Sequence, residues 1–204
     1  MYKLVCIAGM PGAGKSVVSD YFVTRGFQFL RFGQVVLDII KENNLPPTEN
    51  NERKIREDLR KSRGMSAIAI LNYPKFKTLL KKGNVVGDGL YSWSEYKFLK
   101  EKFDKQLIVI SVYAPPSLRY ERLSKRVIPK SDKDLRHRPF TKEEAKARDY
   151  AEIENLEKGG PIAMADYTLV NTKSLAYLMR EVRQIYAKIL RLRNHEMQKQ
   201  KLYS

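Results

Sequence analysis

The 204-residue sequence predicts an α/β domain built around a mostly parallel β-sheet. Two observations lead to this fold class. Short apolar runs rich in β-branched residues alternate along the chain with longer stretches of helical periodicity. The first run, residues 3–8 (KLVCIA), is almost continuously apolar, which is typical of a strand buried on both faces of a parallel sheet.

The elements that follow the first strand alternate in type. A glycine-rich loop leads into a helix over about 15–25, whose apolar stripe ends before the helix-terminating Gly26. Residues 27–32 (FQFLRF) form the second predicted strand. A further helix passes through the apolar positions 35–40.

The next region is helical and ends in the third strand. Thr48, after a proline turn, is placed to cap a helix that carries Ile55 and Leu59. This helix breaks near Gly64 and resumes through residues 68–71. The apolar run 84–88 (NVVGD) is the third predicted strand.

The second half of the chain continues the alternation. Residues 105–114 are the fourth strand, and a basic segment follows over 119–138. A charged helix is expected from residue 142 to about 157, and the fifth strand covers 166–171. The last helix has its apolar stripe over 175–190, and we expect the chain beyond it to fray.

The composition fits one soluble domain, because 204 residues suffice for a single core and 43% of them are hydrophobic. Cys6 is the only cysteine, which excludes a disulfide framework and a cysteine-based zinc site. No apolar run reaches the length of a membrane span, and the N-terminus runs directly into a strand pattern. We therefore expect a cytoplasmic protein without a membrane partner.

The net charge is strongly positive, at +16 from 39 Lys and Arg against 23 Asp and Glu. A basic surface attracts the phosphates of nucleic acids, so an RNA partner is one interpretation. The other is a solvated cationic surface together with arginines that bind phosphorylated small molecules. Charge alone leaves both open, and the sequence does not give an oligomeric state.

The loop after the first strand carries a complete G-x-x-x-x-G-K-[ST] motif, GMPGAGKS. Its glycines let backbone N–H groups point at phosphate oxygens, and the following helix N-terminus adds partial positive charge. Lys15 is expected to reach the β- and γ-phosphates, and the Ser16 hydroxyl to ligate Mg²⁺. The predicted nucleotide-binding residues are Gly9, Pro11, Gly12, Ala13, Gly14, Lys15, Ser16 and Val17.

The nucleotide is expected to be ATP. Nucleotide-binding loops specific for guanine usually contain an N-K-x-D run, and the nearest approach to it here is the poor match NTKS over residues 171–174.

Asp88 lies between two glycines at the end of the third strand, beside the expected position of the phosphate loop. There its carboxylate can bind Mg²⁺, directly or through water, or accept a proton from the substrate. An Asp-Gly turn without a chemical role is the alternative.

The basic segment 119–138 is interpreted as part of a lid over the nucleotide, because arginines that close over a transferring phosphoryl group stabilise its charge. A solvated basic surface would give the same pattern.

Four further stretches, taken with GMPGAGKS, make the chain resemble adenylate-kinase-like P-loop kinases. They are LPPTENNERKIREDLRKSRGMSAIAI, VVGDG, RDYAEIE and ADYTLVN. More narrowly, the chain resembles an archaeal group related to dephospho-CoA kinase, to which ADYTLVN is similar in particular. The resemblance extends to about residue 193.

The resemblance implies a P-loop NTPase fold with a five-stranded parallel sheet in the order 2-3-1-4-5. It implies one kinase domain over 1–193, with an acceptor-side helical region at about 34–80, a lid at about 119–148 and a basic tail over 194–204. It also implies ATP and Mg²⁺ as cofactors, bound by the phosphate loop. By the same resemblance Asp88 is the strand-3 aspartate, Arg122 and Arg126 are lid arginines, and Asn171 and Thr172 lie near the adenine.

The acceptor side departs from these relatives. Gln34 and Leu37 stand where adenylate kinases usually have an acid and a phosphate-clamping arginine, and Tyr91 stands where relatives often have an arginine. Asp38 is expected on the wrong face to serve as a base. We therefore expect the substrate-binding residues to be Arg31, Arg60, Arg63 and Tyr91.

Two functions remain open. The first is a kinase that transfers the γ-phosphoryl group of Mg·ATP to a nucleotide-like or dephospho-CoA-like small molecule, with Lys15, Asp88, Arg122 and Arg126 as catalytic residues. The second is an ATPase associated with RNA or ribosome assembly, favoured by the charge and by the altered acceptor residues.

Overall fold

The computed structural model describes residues 1–127 and 139–202, apart from the side chains of residues 49 and 193–202. Within these ranges five strands form one parallel sheet in the order β2-β3-β1-β4-β5, which confirms the predicted fold. The strands are β1 (Leu4–Ala8), β2 (Gln28–Arg31), β3 (Val85–Leu90), β4 (Leu107–Tyr113) and β5 (Tyr167–Val170).

Helices cover both faces of the sheet. They are α1 (Lys15–Val23), α2 (Gln34–Glu42), α3 (Glu49–Arg63), α4 (Ala67–Lys82), α5 (Trp93–Phe103), α6 (Pro116–Ser124), α7 (Lys142–Glu154), α8 (Gly159–Ala163) and α9 (Leu175–Leu202). None of the helices in the described ranges has the length and apolarity needed to cross a lipid bilayer.

The core divides into two layers because successive residues of a strand point to opposite faces. Leu4, Cys6 and Ala8 of β1 belong to the cluster that also takes residues from α2, α4 and α5. Val5 and Ile7 belong to the second cluster, on the side of α1 and α9. The central strands are therefore buried on both faces, as their continuous apolar sequences indicate.

Helix boundaries follow local signals. Thr48 accepts a hydrogen bond from the backbone N–H of Asn51 and caps α3, as predicted. Ser92 and Glu95 form a reciprocal capping box at the start of α5, a helix that the sequence reading did not assign. Helix α9 continues to Leu202 although its apolar stripe ends earlier, because Gln, Lys, Glu and Met are good helix formers.

The third strand is longer than predicted and includes Asp88 instead of ending at it. Gly89 has a φ of +89°, and the pairing with β1 shifts there, so that Ile7 pairs with Asp88 and Ala8 with Leu90. The glycine therefore supplies a bulge that re-aims the chain directly after the carboxylate.

Candidate active site

The phosphate loop connects the carboxyl end of β1 to the first turn of α1. Gly9 and Gly14 have φ values of +139° and +106°, which disfavour any residue with a Cβ. A Cβ on Gly14 would lie 2.4 Å from Nδ2 of Asn171, and one on Gly9 would lie 2.4 Å from the carbonyl oxygen of Val112. Glycine is therefore required at these two positions both by the backbone conformation and by close packing against β4 and the segment after β5.

Lys15 is the first residue of α1, and its ammonium group bends back over the loop. Nζ donates hydrogen bonds to the carbonyl oxygens of Gly9, at 2.9 Å, and Met10, at 3.2 Å. Burial and then the nearby charge of Lys158 lower the pKa of Lys15 to about 7. An anion bound in the loop would restore the charged form, since opposite charge favours it.

Asp88 faces the same helix. The Ser19 hydroxyl, one turn after Ser16, donates a 2.9 Å hydrogen bond to Oδ1 of Asp88, and Lys15 is close enough to interact with the carboxylate electrostatically. The Asp88 residue is 8% exposed. A hydroxyl and a carboxylate on neighbouring elements form the oxygen donor set that suits Mg²⁺, which usually takes one or two protein ligands together with phosphates and water.

Asn171 supports the phosphate loop from the end of β5. Its side-chain Nδ2 donates to the carbonyl oxygen of Ala13 at 2.8 Å, and its own carbonyl accepts a 3.0 Å hydrogen bond from Nη2 of Arg122. Thr172 is exposed beside it. These contacts support the phosphate loop and link it to α6, so Asn171 has a structural role in the loop. Its position near an adenine stays a prediction.

The basic segment after β4 has two structurally distinct parts. Arg119 is buried and forms a two-pronged ion pair with Asp149 of α7, with N–O distances of 2.8 and 2.5 Å. It also donates to the carbonyl oxygen of Pro11, so it connects α6 to the phosphate loop. Arg126 follows the end of α6 and is half-buried. Residues 128–138 of the predicted lid lie outside the described residues.

A cluster of charges surrounds the aromatic ring of Tyr91, and we call it the Tyr91 cluster: Tyr91, Arg148, Glu152 and Lys158. Lys158 is fully buried; its Nζ pairs with Glu152 and lies 4.5 Å from the centre of the Tyr91 ring. Nε of Arg148 donates to the other oxygen of Glu152 at 2.9 Å. Burial alone would raise the pKa of Glu152, but Lys158 and Arg148 lower it to about 2.

The Tyr91 cluster lies beside the phosphate loop and next to Asp88. Lys158, Glu152 and Arg148 all act electrostatically on Lys15. A Cβ on Gly89 would meet the Tyr91 ring at 3.1 Å, so the ring lies against the backbone directly after Asp88. Cations from α7 and from the turn before α8 thus converge on the predicted phosphate site.

The other predicted acceptor residues occupy different places. Arg60 of α3 has Nε and Nη2 buried and acts electrostatically with Tyr91 and Glu95, whereas Arg63 is exposed at the end of α3. Arg31 is half-buried at the end of β2, where it pairs in register with Asp88.

Three side chains near the predicted acceptor residues are engaged within the fold: Gln34, Asp38 and Trp93. Gln34 donates to Asp38 at 2.9 Å, and Asp38 pairs with Lys75 of α4, so this acid is directed to a helix surface as expected. Trp93 stacks on Tyr96 and packs against Gly160, which leaves it as a packing residue between α5 and α8.

Sequence reasoning did not single out Lys158, Glu152, Glu95 or Ser19. A signal existed for two of them: S-x-x-E over 92–95 is a capping-box pattern, and Lys158 precedes Gly159-Gly160 after a charged helix. In the ranges that the structure describes, no three His, Cys, Asp or Glu side chains group as a metal site, so any metal held here would depend on few protein ligands.

Comparison with known proteins agrees with the fold. The model of the AAA_18 family, described as an AAA domain, matches residues 5–150. A UPF0200 protein of Thermococcus gammatolerans is 35% identical over 191 residues, covering 92% of this chain and 96% of the relative. A UPF0200 protein of Pyrococcus abyssi is 34% identical over 195 residues, covering 95% and 100%.

Solved kinase structures share the architecture at low identity. Shikimate kinase from Acinetobacter baumannii superposes with a TM-score of 0.55 at 18% identity, covering 93% of this chain and 94% of that one. A gluconokinase from Sinorhizobium meliloti gives 0.54 at 17% identity, covering 96% and 97%. The sequence similarity to the relatives and to the family model assigns the family as well as the fold. The chain belongs to the UPF0200 family and contains an AAA_18 domain with the P-loop kinase architecture.

Proposed function

We propose that the protein is a Mg·ATP-dependent phosphotransferase acting on a small, nucleotide-like or dephospho-CoA-like acceptor. The observation that carries the proposal is the position of Lys15, whose ammonium group lies inside a glycine loop at a helix N-terminus with Asp88 close by. This arrangement concentrates backbone donors and positive charge where a triphosphate would bind.

In the proposed reaction the bond from the γ-phosphorus to the β,γ-bridging oxygen breaks, and a bond from the acceptor oxygen to that phosphorus forms. ADP leaves. Bound Mg²⁺ would neutralise charge on the β- and γ-phosphates, held through Ser16 and Asp88. A phosphate acceptor needs no base, whereas a hydroxyl acceptor would transfer its proton to Asp88, which would then hold Mg²⁺ through water.

The chain's own cations support charge stabilisation in this reaction. Lys15 would contact the transferring phosphoryl group, and the cations Lys158, before α8, and Arg148, of α7, act electrostatically on Lys15. Arg122 has its Nη1 buried without a hydrogen bond, which leaves one donor for a bound anion. Preorganised donors of this kind contribute because they need no rearrangement during the transfer.

An acceptor screen tests the proposal. ADP release from Mg·ATP is followed with nucleoside monophosphates, with dephospho-CoA and with RNA ends, in the parent and in Lys15→Ala. We expect a small-molecule acceptor to raise the rate in the parent alone. If no small acceptor raises the rate above that with water, the kinase proposal is wrong.

A second candidate is an ATPase that binds RNA. It is favoured by the net charge of +16 and by the exposed cations Arg53, Lys54, Lys61 and Arg63 on α3. It predicts salt-dependent RNA binding that persists in Lys15→Ala and is lost when these four side chains are changed to Gln. RNA affinity that does not vary with salt would exclude this candidate.

A further inference from the structure

Two oppositely charged side chains lie next to Tyr91: Arg60, whose Nε and Nη2 atoms are buried, and the fully buried Glu95. Nε and Nη2 of Arg60 are buried and make no hydrogen bond. A buried guanidinium donor without a partner costs free energy, so such an arrangement is uncommon unless a ligand or water uses it. Arg60 is directed from α3 toward Tyr91, Glu95 and Glu152, all of which act on it electrostatically.

Glu95 has one oxygen in use and one without a partner. Oε2 accepts hydrogen bonds from the backbone N–H groups of Tyr91, at 3.0 Å, and Ser92, at 3.2 Å. These two bonds complete its capping role at the start of α5. Oε1 is also buried but accepts no hydrogen bond.

The unpaired atoms of the two side chains do not satisfy each other. Arg60 and Glu95 have opposite charges and influence each other electrostatically, yet neither Nε nor Nη2 of Arg60 donates to Oε1 of Glu95. The fully buried Lys158, which lies over the adjacent Tyr91 ring, also acts electrostatically on Glu95. This corner of the molecule therefore offers positive charge with free donors beside a single free carboxylate acceptor.

We infer that Arg60 and Glu95 form an acceptor subsite that takes a phosphate ester carrying a hydroxyl group beside the phosphate. The phosphate binds Arg60 near Lys158, and the hydroxyl donates to Oε1 of Glu95. Glu95 is thus a specificity-determining residue that distinguishes hydroxylated from non-hydroxylated phosphate esters.

This inference rests on the proposed function, since it names the substrate class of the same site. A purely structural role for Glu95 involves only Oε2, which forms the helix cap, whereas the proposed ligand contact involves Oε1. Glutamine can form the same capping box through its amide oxygen. Glu95→Gln therefore keeps the fold of α5 and replaces the free acceptor oxygen with an amide NH₂ donor.

The experiment measures binding with the phosphate loop already filled. The protein is saturated with Mg²⁺ and the β,γ-imido analogue of ATP, and calorimetry confirms that the analogue binds. Two probes are then titrated separately: 2-hydroxyethyl phosphate and ethyl phosphate, which differ by one hydroxyl group. The variants are Glu95→Gln, Arg60→Gln and, as a control at an exposed arginine of α9, Arg183→Gln.

We expect the parent to bind 2-hydroxyethyl phosphate about tenfold more tightly than ethyl phosphate, as for one hydrogen bond to a charged group. The preference should disappear in Glu95→Gln while the affinity for ethyl phosphate stays within about twofold. Arg60→Gln should weaken the binding of both probes by about tenfold or more, and Arg183→Gln should match the parent.

A preference for the hydroxylated probe that survives Glu95→Gln would overturn the inference, and so would ethyl phosphate binding that is unaffected by Arg60→Gln. The nucleotide-binding step separates this result from the proposed function. If the ATP analogue binds but either of these contrary results is found, only the substrate class is wrong. If the analogue does not bind, the proposed function is wrong as well.

Discussion

Raising the pH from 6.5 to 8.5 should weaken the binding of Mg·ATP, because Lys15 must be charged to hold a phosphate. In the free protein the pKa of Lys15 is lowered to about 7 by burial and by Lys158. A bound triphosphate favours the ammonium form, so binding at high pH requires Lys15 to take up a proton.

The magnitude follows from the titration of one group. With a pKa of about 7 in the free protein, the cost of protonation multiplies the dissociation constant by about 1.3 at pH 6.5 and by about 33 at pH 8.5. The expected loss of affinity is therefore about 25-fold, or about 2 kcal/mol.

Calorimetry checks this prediction. Titrations in buffers with different ionisation enthalpies should reveal an uptake of close to one proton per nucleotide at pH 8.5 and much less at pH 6.5. Lys15→Arg is the matched control, because arginine stays charged throughout this range and its affinity should be flat with pH. If the parent's affinity is equally flat and its binding takes up no proton, Lys15 does not titrate on nucleotide binding and the prediction is wrong.

Three further predictions concern the supports of the site. Asp88→Asn should reduce Mg²⁺-dependent ADP release by about 100-fold, whereas Ser19→Ala, which removes only one hydrogen bond to Asp88, should cost less than about tenfold; equal metal titrations and rates for Asp88→Asn and the parent would reduce Asp88 to a turn residue. Arg119→Lys should lower the free energy of unfolding in urea by about 3 kcal/mol, because lysine cannot replace the buried two-pronged pair; an unchanged midpoint and slope would contradict this. Asn171→Ala should weaken Mg·ATP binding about fivefold with a normal circular dichroism spectrum, because the loop loses its brace; full affinity would remove Asn171 from the site.

The fold and the phosphate loop were predictable because they depend on local patterns. The alternation of strand and helix signals indicates a parallel sheet, and GMPGAGKS requires a loop geometry that packing around Gly14 explains. The order of the strands came from the resemblance to a family, and the structure confirms it.

The buried ion pairs around the site were not predictable from local sequence patterns. Lys158 and Arg119 look in the sequence like members of a solvated basic surface, yet both are buried. Each is buried because one carboxylate from α7 meets it: Glu152 for Lys158 and Asp149 for Arg119. A buried charge is tolerated only with such a partner, and sequence spacing does not show which partner the fold supplies.

The central claim is that Lys15 holds the terminal phosphate of ATP for transfer. The most direct test compares ADP release from Mg·ATP at pH 6.5 in the parent and in Lys15→Ala, with circular dichroism and a thermal melt to verify folding. We predict a folded variant whose rate falls by about 100-fold or more. A folded Lys15→Ala protein that releases ADP at the parent rate would contradict it.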